Sequence, residues 1–219
     1  MRTSRGIVAA ACLLQLACSS EGIRRVRVGI PGYTPLRPAE IGEIFLADFR
    51  TEEAPPDFDA GKEIGDYLYT ELARKFEGKV SRRPVPADKA GRAGEKDFWR
   101  SLPAGPGPAV FLTGTVLYRE EVRKALLETD PKVIDGPFRQ ERTELSQRRV
   151  YTLRVGISLI RAGTGEVVLS KEFNETTTFF IENVPLSYAF FELAPQVRQR
   201  FFQDFFGDER LQERYLFTK

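Results

Sequence analysis

Apolar and polar positions alternate most regularly between Arg149 and Ala162, where Tyr151, Leu153, Val155, Ile157 and Leu159 take every second place. A period of two puts those five side chains on one face of a strand, with Arg154 and Ser158 on the other. Gly163-Thr164-Gly165 then turns the chain, and Glu166 to Phe180 returns as the second strand of a hairpin. Two continuous apolar runs, Ile44 to Phe49 and Ala109 to Tyr118, predict buried strands. A looser alternation through Val26, Val28 and Ile30 predicts a short first strand over Ile23 to Ile30, followed by a turn-rich connector from Pro31 to Pro38. Val80 to Val85 predicts a minor strand, demoted by Pro84.

The helical period appears twice at length. After the break at Pro55-Pro56-Asp57, Ile64, Tyr67, Leu68, Leu72 and Phe76 predict a helix over 59–77, with Gly78 in the capping place. Leu186 to Phe206 predicts a second helix, stopped by Gly207 and kinked or divided at Pro195. A short helix ending near Phe98-Trp99 sits in the Gly- and Pro-rich stretch 86–108. Residues 119–149 are highly charged, with Pro131 and Asp135-Gly136-Pro137 marking a loop tip. The predicted order is β-β-α-β-(α)-β-β-β-α. This is an α/β fold: a single domain over 23–219, with one mixed, mostly antiparallel sheet packed by two main helices.

Ten of the 17 phenylalanines follow residue 172, many in doublets along the last helix. Phe190, Leu193, Val197, Phe201 and Phe205 make one row, and Phe191, Phe202 and Phe206 lie beside it. Adjacent helical residues are about 100° apart, so the doublets widen the apolar arc beyond one stripe. Aromatic stripes at this spacing are usually core. The functional reading leaves Phe191, Phe202 and Phe206 exposed as a partner-binding row, with the charged 119–149 segment as its polar rim.

At 219 residues, 42% apolar and 29% charged, the chain is globular in composition. It contains no histidine, which removes Ser-His-Asp and Cys-His nucleophile systems and the commonest metal ligand. Gly61-Lys62-Glu63 lacks the rest of a phosphate-binding loop, and Gly163-Thr164-Gly165 sits in a hairpin rather than before a helix. Ser170 and Lys171, as strand neighbours, point to opposite faces and cannot form a dyad. The acidic pairs Glu52-Glu53, Asp57/Asp59 and Glu120-Glu121 lie in charged stretches and read as solvated surface. No catalytic residue, metal ligand or cofactor is predicted, and the chain is read as a non-enzyme.

The first twenty residues form an address. Arg2 and Arg5 precede the apolar run Gly6 to Leu14, which is far below the roughly 20 residues a spanning helix needs and fits a secretory signal. Gln15-Leu16-Ala17-Cys18-Ser19-Ser20 resembles the lipobox of bacterial lipoproteins, which implies a signal peptide over 1–17 and a lipid-bearing Cys18 at the start of a tether over 18–22. Ala17-Cys18-Ser19 also fits ordinary signal peptidase and release of a soluble protein; a lone cysteine kept at the cleavage site favours the lipoprotein. Losing residues 1–17 removes two arginines and no acid, leaving 31 basic and 31 acidic side chains. A near-neutral body argues against nucleic acid as a partner. Ser19 after the cysteine, by the same resemblance, implies the outer membrane, with the body facing the periplasm.

The order of parts carries a second resemblance. Ile44-Phe45-Leu46-Ala47-Asp48-Phe49, the helix with Ile64, Leu68 and Leu72, Val110-Phe111-Leu112-Thr113-Gly114-Thr115-Val116, and the Tyr151–Leu159 strand leading through Gly163-Thr164-Gly165-Glu166-Val167 to Phe173 are similar to the α/β domain of the curli-secretion (CsgG-like) lipoproteins and the TolB amino-terminal domain. Pore-forming members insert hairpins of about 9–11 alternating residues per strand into the membrane; Arg119 to Arg149 is too charged to face lipid, so no pore is implied. The expected role is a non-catalytic assembly or transport accessory of the cell envelope, held to the membrane by lipid and working through protein partners or self-association. The alternative is a lipid- or glycolipid-handling role, similar to lipopolysaccharide-assembly or transporter-auxiliary lipoproteins, which needs an apolar groove.

Overall fold

The computed structural model describes residues 22–30, 37–105, 107–128, 143–180, 183–207 and 210–218. Cys18 and the predicted signal lie outside them. The elements in chain order are β1 (Gly22–Ile30), β2 (Glu43–Glu53), α1 (Ala60–Lys75), β3 (Lys79–Arg82), α2 (Lys96–Ser101), β4 (Ala109–Glu128), β5 (Thr143–Arg161), β6 (Val167–Phe179), α3 (Leu186–Phe206) and β7 (Arg210–Thr218), with one 3-10 turn at Pro38–Glu40. The chain divides into two compact units, one of residues 33–207 and one joining 1–32 to 208–219.

In the smaller unit, β1 and β7 form an antiparallel ribbon running from Gly22↔Thr218 to Ile30↔Arg210. β7 follows the Gly207 stop, where the sequence pattern predicted nothing. The partner of the predicted first strand is therefore the far end of the chain.

The larger unit is an α/β fold built on one five-stranded mixed sheet in the order β3-β2-β4-β5-β6. β2 pairs in parallel with β3 and β4, while the longer β4–β5 and β5–β6 ladders are antiparallel. One face of the sheet packs against α1 and α3. Tyr151, Leu153, Val155, Ile157 and Leu159 all lie on it, none more than 1% exposed. The other face is covered at one end by a second cluster in which Trp99 of α2 meets Phe45, Phe111 and Ile160. Strands sandwiched this way lose their alternation, which is why Ile44 to Ala47 and Ala109 to Leu112 read as unbroken apolar runs. Ser158 is buried on that second face, where its hydroxyl lies 3.1 Å from that of Ser170. Its burial reflects two-sided cover and leaves the register of the five inner residues intact.

Asp59 caps α1 by accepting the Lys62 N–H at 3.0 Å. The helix ends earlier than the pattern suggested. Phe76 turns out of it, its N–H still donating to the Leu72 carbonyl at 2.8 Å, and Gly78 serves elsewhere. A Cβ on Gly78 would stand 2.6 Å from the Gly42 carbonyl oxygen, where β3 sets off beside β2. At α3 the prediction holds: Gly207 adopts φ 69° and closes the helix. Pro195 lies inside one continuous helix rather than dividing it.

The charged segment is the main departure. β4 continues to Glu128 and β5 begins at Thr143, paired without a register shift from Val110↔Arg161 to Glu128↔Thr143. Much of the predicted loop is therefore strand, while its tip residues Pro131 and Asp135-Gly136-Pro137 fall outside the described residues. Backbone pairing needs no apolar face when both faces are solvated, so charge alone does not end a strand. β2 stops pairing at Glu53↔Leu117 and β6 at Phe179↔Arg149. Beyond those points the two strands continue as a two-stranded arm.

Candidate interaction surface

The chain enters α3 across the base of the arm. The Tyr118 hydroxyl donates to the Leu186 carbonyl at 2.7 Å. The Tyr151 hydroxyl lies 3.2 Å from the Val184 carbonyl and 3.1 Å from Glu120 Oε1, and its single proton serves one of them at a time. Arg149 bonds the same Glu120 carboxylate. Burial, then the neighbouring Tyr151 and Glu120, push the Tyr118 phenol above its ordinary range. Burial and the Glu120 carboxylate do the same to Tyr151. Both tyrosines stay neutral donors, pinning the start of α3 to the sheet.

Rings radiate from this anchor. Phe190 packs edge-on against Tyr118, centroids 5.4 Å apart, and lies 5.1 Å from Phe58. Phe179 joins Tyr151 to Tyr188, at 5.8 Å each. Phe191 touches Phe190 at 5.4 Å and Tyr67 of α1 at 6.4 Å. The outer rings are open to solvent, Tyr188 53% and Phe191 45% exposed, and Val122 of the arm is 54% exposed. Tyr188 and Phe191 stand three residues apart, on one side of the helix. The two regions suspected from sequence, the aromatic helix and the charged segment, thus meet at the start of α3.

The other two members of the predicted row do not belong to this surface. Phe202 is 6% exposed and Phe206 half-buried. They stack edge-on at 5.1 Å, and the Lys75 ammonium at the end of α1 stands 5.2 and 5.0 Å from their ring centres. Expected as docking residues, they are packing residues, because each other's rings, Phe201, Phe205 and the Lys75 side chain lie against them. Only Phe191 of the three is exposed.

Charged clips hold α3 along its length. Arg198 bonds Glu71 of α1 at 2.5 Å, and Arg74 holds the other Glu71 oxygen. Lys171 and Glu175 of β6 meet Asp204 and Arg200, each at 2.9 Å. Burial raises the Glu71 carboxyl, but the bonds from Arg198 and Arg74 outweigh it and hold the group below its ordinary value. These clips were not singled out from sequence. The available signal was Glu71 itself, a carboxylate beside Leu72 on the apolar side of a helix.

Most of the acidic residues flagged by sequence serve as a helix cap or as ion-pair partners. Asp59 caps α1, Glu53 pairs with Arg119 at 2.6 Å, Glu120 with Arg149 and Glu121 with Arg123 at 2.6 Å. Asp57 is exposed, and Glu52 lies 3.9 Å from Arg154. Ser170 and Lys171 diverge as expected, one toward Ser158 and the other toward Asp204. Among the described residues no group of three or more His, Cys, Asp and Glu side chains could hold a metal ion, and no helix is long and apolar enough to cross a membrane.

No family model matches the chain, and no curated protein matches it. Among solved structures, the PelC dodecamer from Paraburkholderia phytofirmans is similar at 19% identity and a TM-score of 0.39, over 80% of this chain and 95% of that one. A neuraminyllactose-binding hemagglutinin homolog from Helicobacter pylori reaches 12% identity and 0.41, over 78% and 86%. The hypothetical protein CT253 from Chlamydia trachomatis reaches 10% and 0.38, over 74% and 96%.

Proposed function

We propose that this chain is a non-catalytic accessory of the bacterial cell envelope, anchored by lipid on Cys18 and acting in assembly or transport through contacts with other proteins. The body would face the periplasm from the outer membrane. The observation that carries the contact role is the aromatic shelf at the start of α3, where exposed Tyr188 and Phe191 are braced by buried rings. Large amphipathic rings held rigid at a surface lose little entropy on binding and serve as anchors. Charged residues of the arm base border the shelf as a polar rim. The same shelf offers a route to self-association.

Fractionation and acyl labelling in the native host, for the wild type and Cys18→Ser, test the anchor. Labelled, membrane-bound wild type and unlabelled, released variant are expected. A wild type that takes up no lipid and fractionates as soluble overturns the anchored reading. Photo-crosslinkers placed at Tyr188 and Phe191 test the contact role: adducts of defined mass are expected there and absent from a control at exposed Lys62.

A further inference from the structure

Among the described residues, the face of the sheet opposite α3 carries a charge row at the arm base that is one acid short. Glu53 bonds Arg119 at 2.6 Å, Arg119 reaches Glu121 at 3.9 Å, and Glu121 holds Arg123 through both Nε and Nη2, at 3.1 and 2.6 Å. Signs alternate up to this point. Directly across the ladder from Arg123 stands Arg148, a like charge in register, an arrangement that is unfavourable unless something lies between the two. Arg148 has no acidic partner among the described residues. Its guanidinium carbon sits 4.9 Å from the ring centre of Phe180, and its Nε is buried with no hydrogen-bond partner. Phe180 is itself 61% exposed. Among the described residues three arginines therefore share two glutamates, and the unmatched one stands over an open aromatic ring.

We propose that this site takes a carboxylate from an acidic, partly apolar segment of a partner protein. The incoming carboxylate would sit between Arg148 and Arg123 and complete the alternation, and an adjacent apolar side chain would cover Phe180. A guanidinium held over a ring is already confined, so less freedom is lost when it binds. The proposal goes beyond the shelf at α3: it adds a second contact site on the opposite face and names the chemistry of its partner. It does not depend on the lipid anchor, because its test uses the purified chain in solution.

The probe is a fluorescent peptide alternating Leu and Glu, with a twin in which Gln replaces Glu, titrated by anisotropy at low ionic strength. Saturable binding of the acidic peptide is expected, with the twin about fivefold weaker or more. Arg148→Gln should bring the acidic peptide down to the level of the twin, and Phe180→Ala should weaken both peptides. Arg100→Gln on α2 should change nothing, and unaltered circular dichroism certifies the fold of each variant. Equal affinity for the two peptides, no binding of either, or an unchanged Arg148→Gln overturns the proposal. So does competition by phosphatidylglycerol vesicles that is lost in Arg148→Gln, since it would assign the site to a membrane surface. Failure of Cys18 acylation in cells leaves this result untouched, and failure here leaves the anchor untouched.

Discussion

The doublets Phe190-Phe191 and Phe201-Phe202 stand eleven residues apart on the same helix, three turns along, with the same residue type in the same pattern. At both ends the first ring is fully buried, Phe190 against Tyr118 and Phe58, Phe201 against Phe173 and Phe205. The second rings differ: Phe202 is 6% exposed and Phe191 45%. At the carboxy-terminal end of α3, α1 supplies Lys75 above the second ring, and Phe206 closes in from one turn on. At the amino-terminal end, Phe191 has Tyr67 on one side and solvent on the other. Identical local sequence yields packing or surface according to which side chains lie across from it.

That contrast can be broken most forcefully at Phe202. Phe202→Ala empties a covered position, and a loss of about 3–4 kcal/mol is expected in chemical denaturation. A loss below about 1 kcal/mol would put both second rings on the surface and erase the difference between the two ends.

A smaller effect is expected from the clip that ties α3 to α1. Glu71→Gln leaves Arg198 without its carboxylate and should cost about 1–2 kcal/mol near neutral pH, less than a fully buried pair because Arg198 is partly solvated. Glu71 has a folded pKa below its ordinary 4.5, so its contribution is fully present above that value and is lost as pH falls through the folded pKa. Stability curves of wild type and variant should therefore converge in acid. A gap that persists below the folded pKa would show that the carboxylate charge is not what holds the helices.

The smallest stability effect should come from the open end. Tyr188→Ala combined with Phe191→Ala should stay within about 1 kcal/mol of wild type in the same denaturation, because both rings already meet water. A loss comparable to that of Phe202→Ala would mean the shelf is core, and would remove it from the candidate surfaces.

Much of the fold was legible because its signals are local and periodic. The alternation at Tyr151 to Leu159, the turn at Gly163-Thr164-Gly165 and the heptad-like spacing from Ile64 to Leu72 each appear in the structure as read. The arm strands were not read from the charged 119–149 segment because the apolar signal fades beyond Tyr118, although the backbone ladder runs on. β7 went unread for a related reason: its register with β1 joins residues nearly two hundred positions apart, a pairing no local window contains. Of the site, Phe191 was legible as a second-row ring. Its neighbour Tyr188 was not, nor was Phe180 under Arg148 on the opposite face, since their surroundings come together only through sheet register and helix placement.

By itself, the sequence determined the α/β class, the inner face of β5, the two long helices and the absence of histidine chemistry. All of these follow from residue type and spacing along the chain. Only the tertiary structure decided which aromatic rings are core, that Glu71 holds α3 through Arg198, and that Arg148 stands across the ladder from Arg123. Those outcomes depend on what lies across the gap from a side chain, and partners far apart in the chain are brought there by packing and strand register, which residue spacing does not encode.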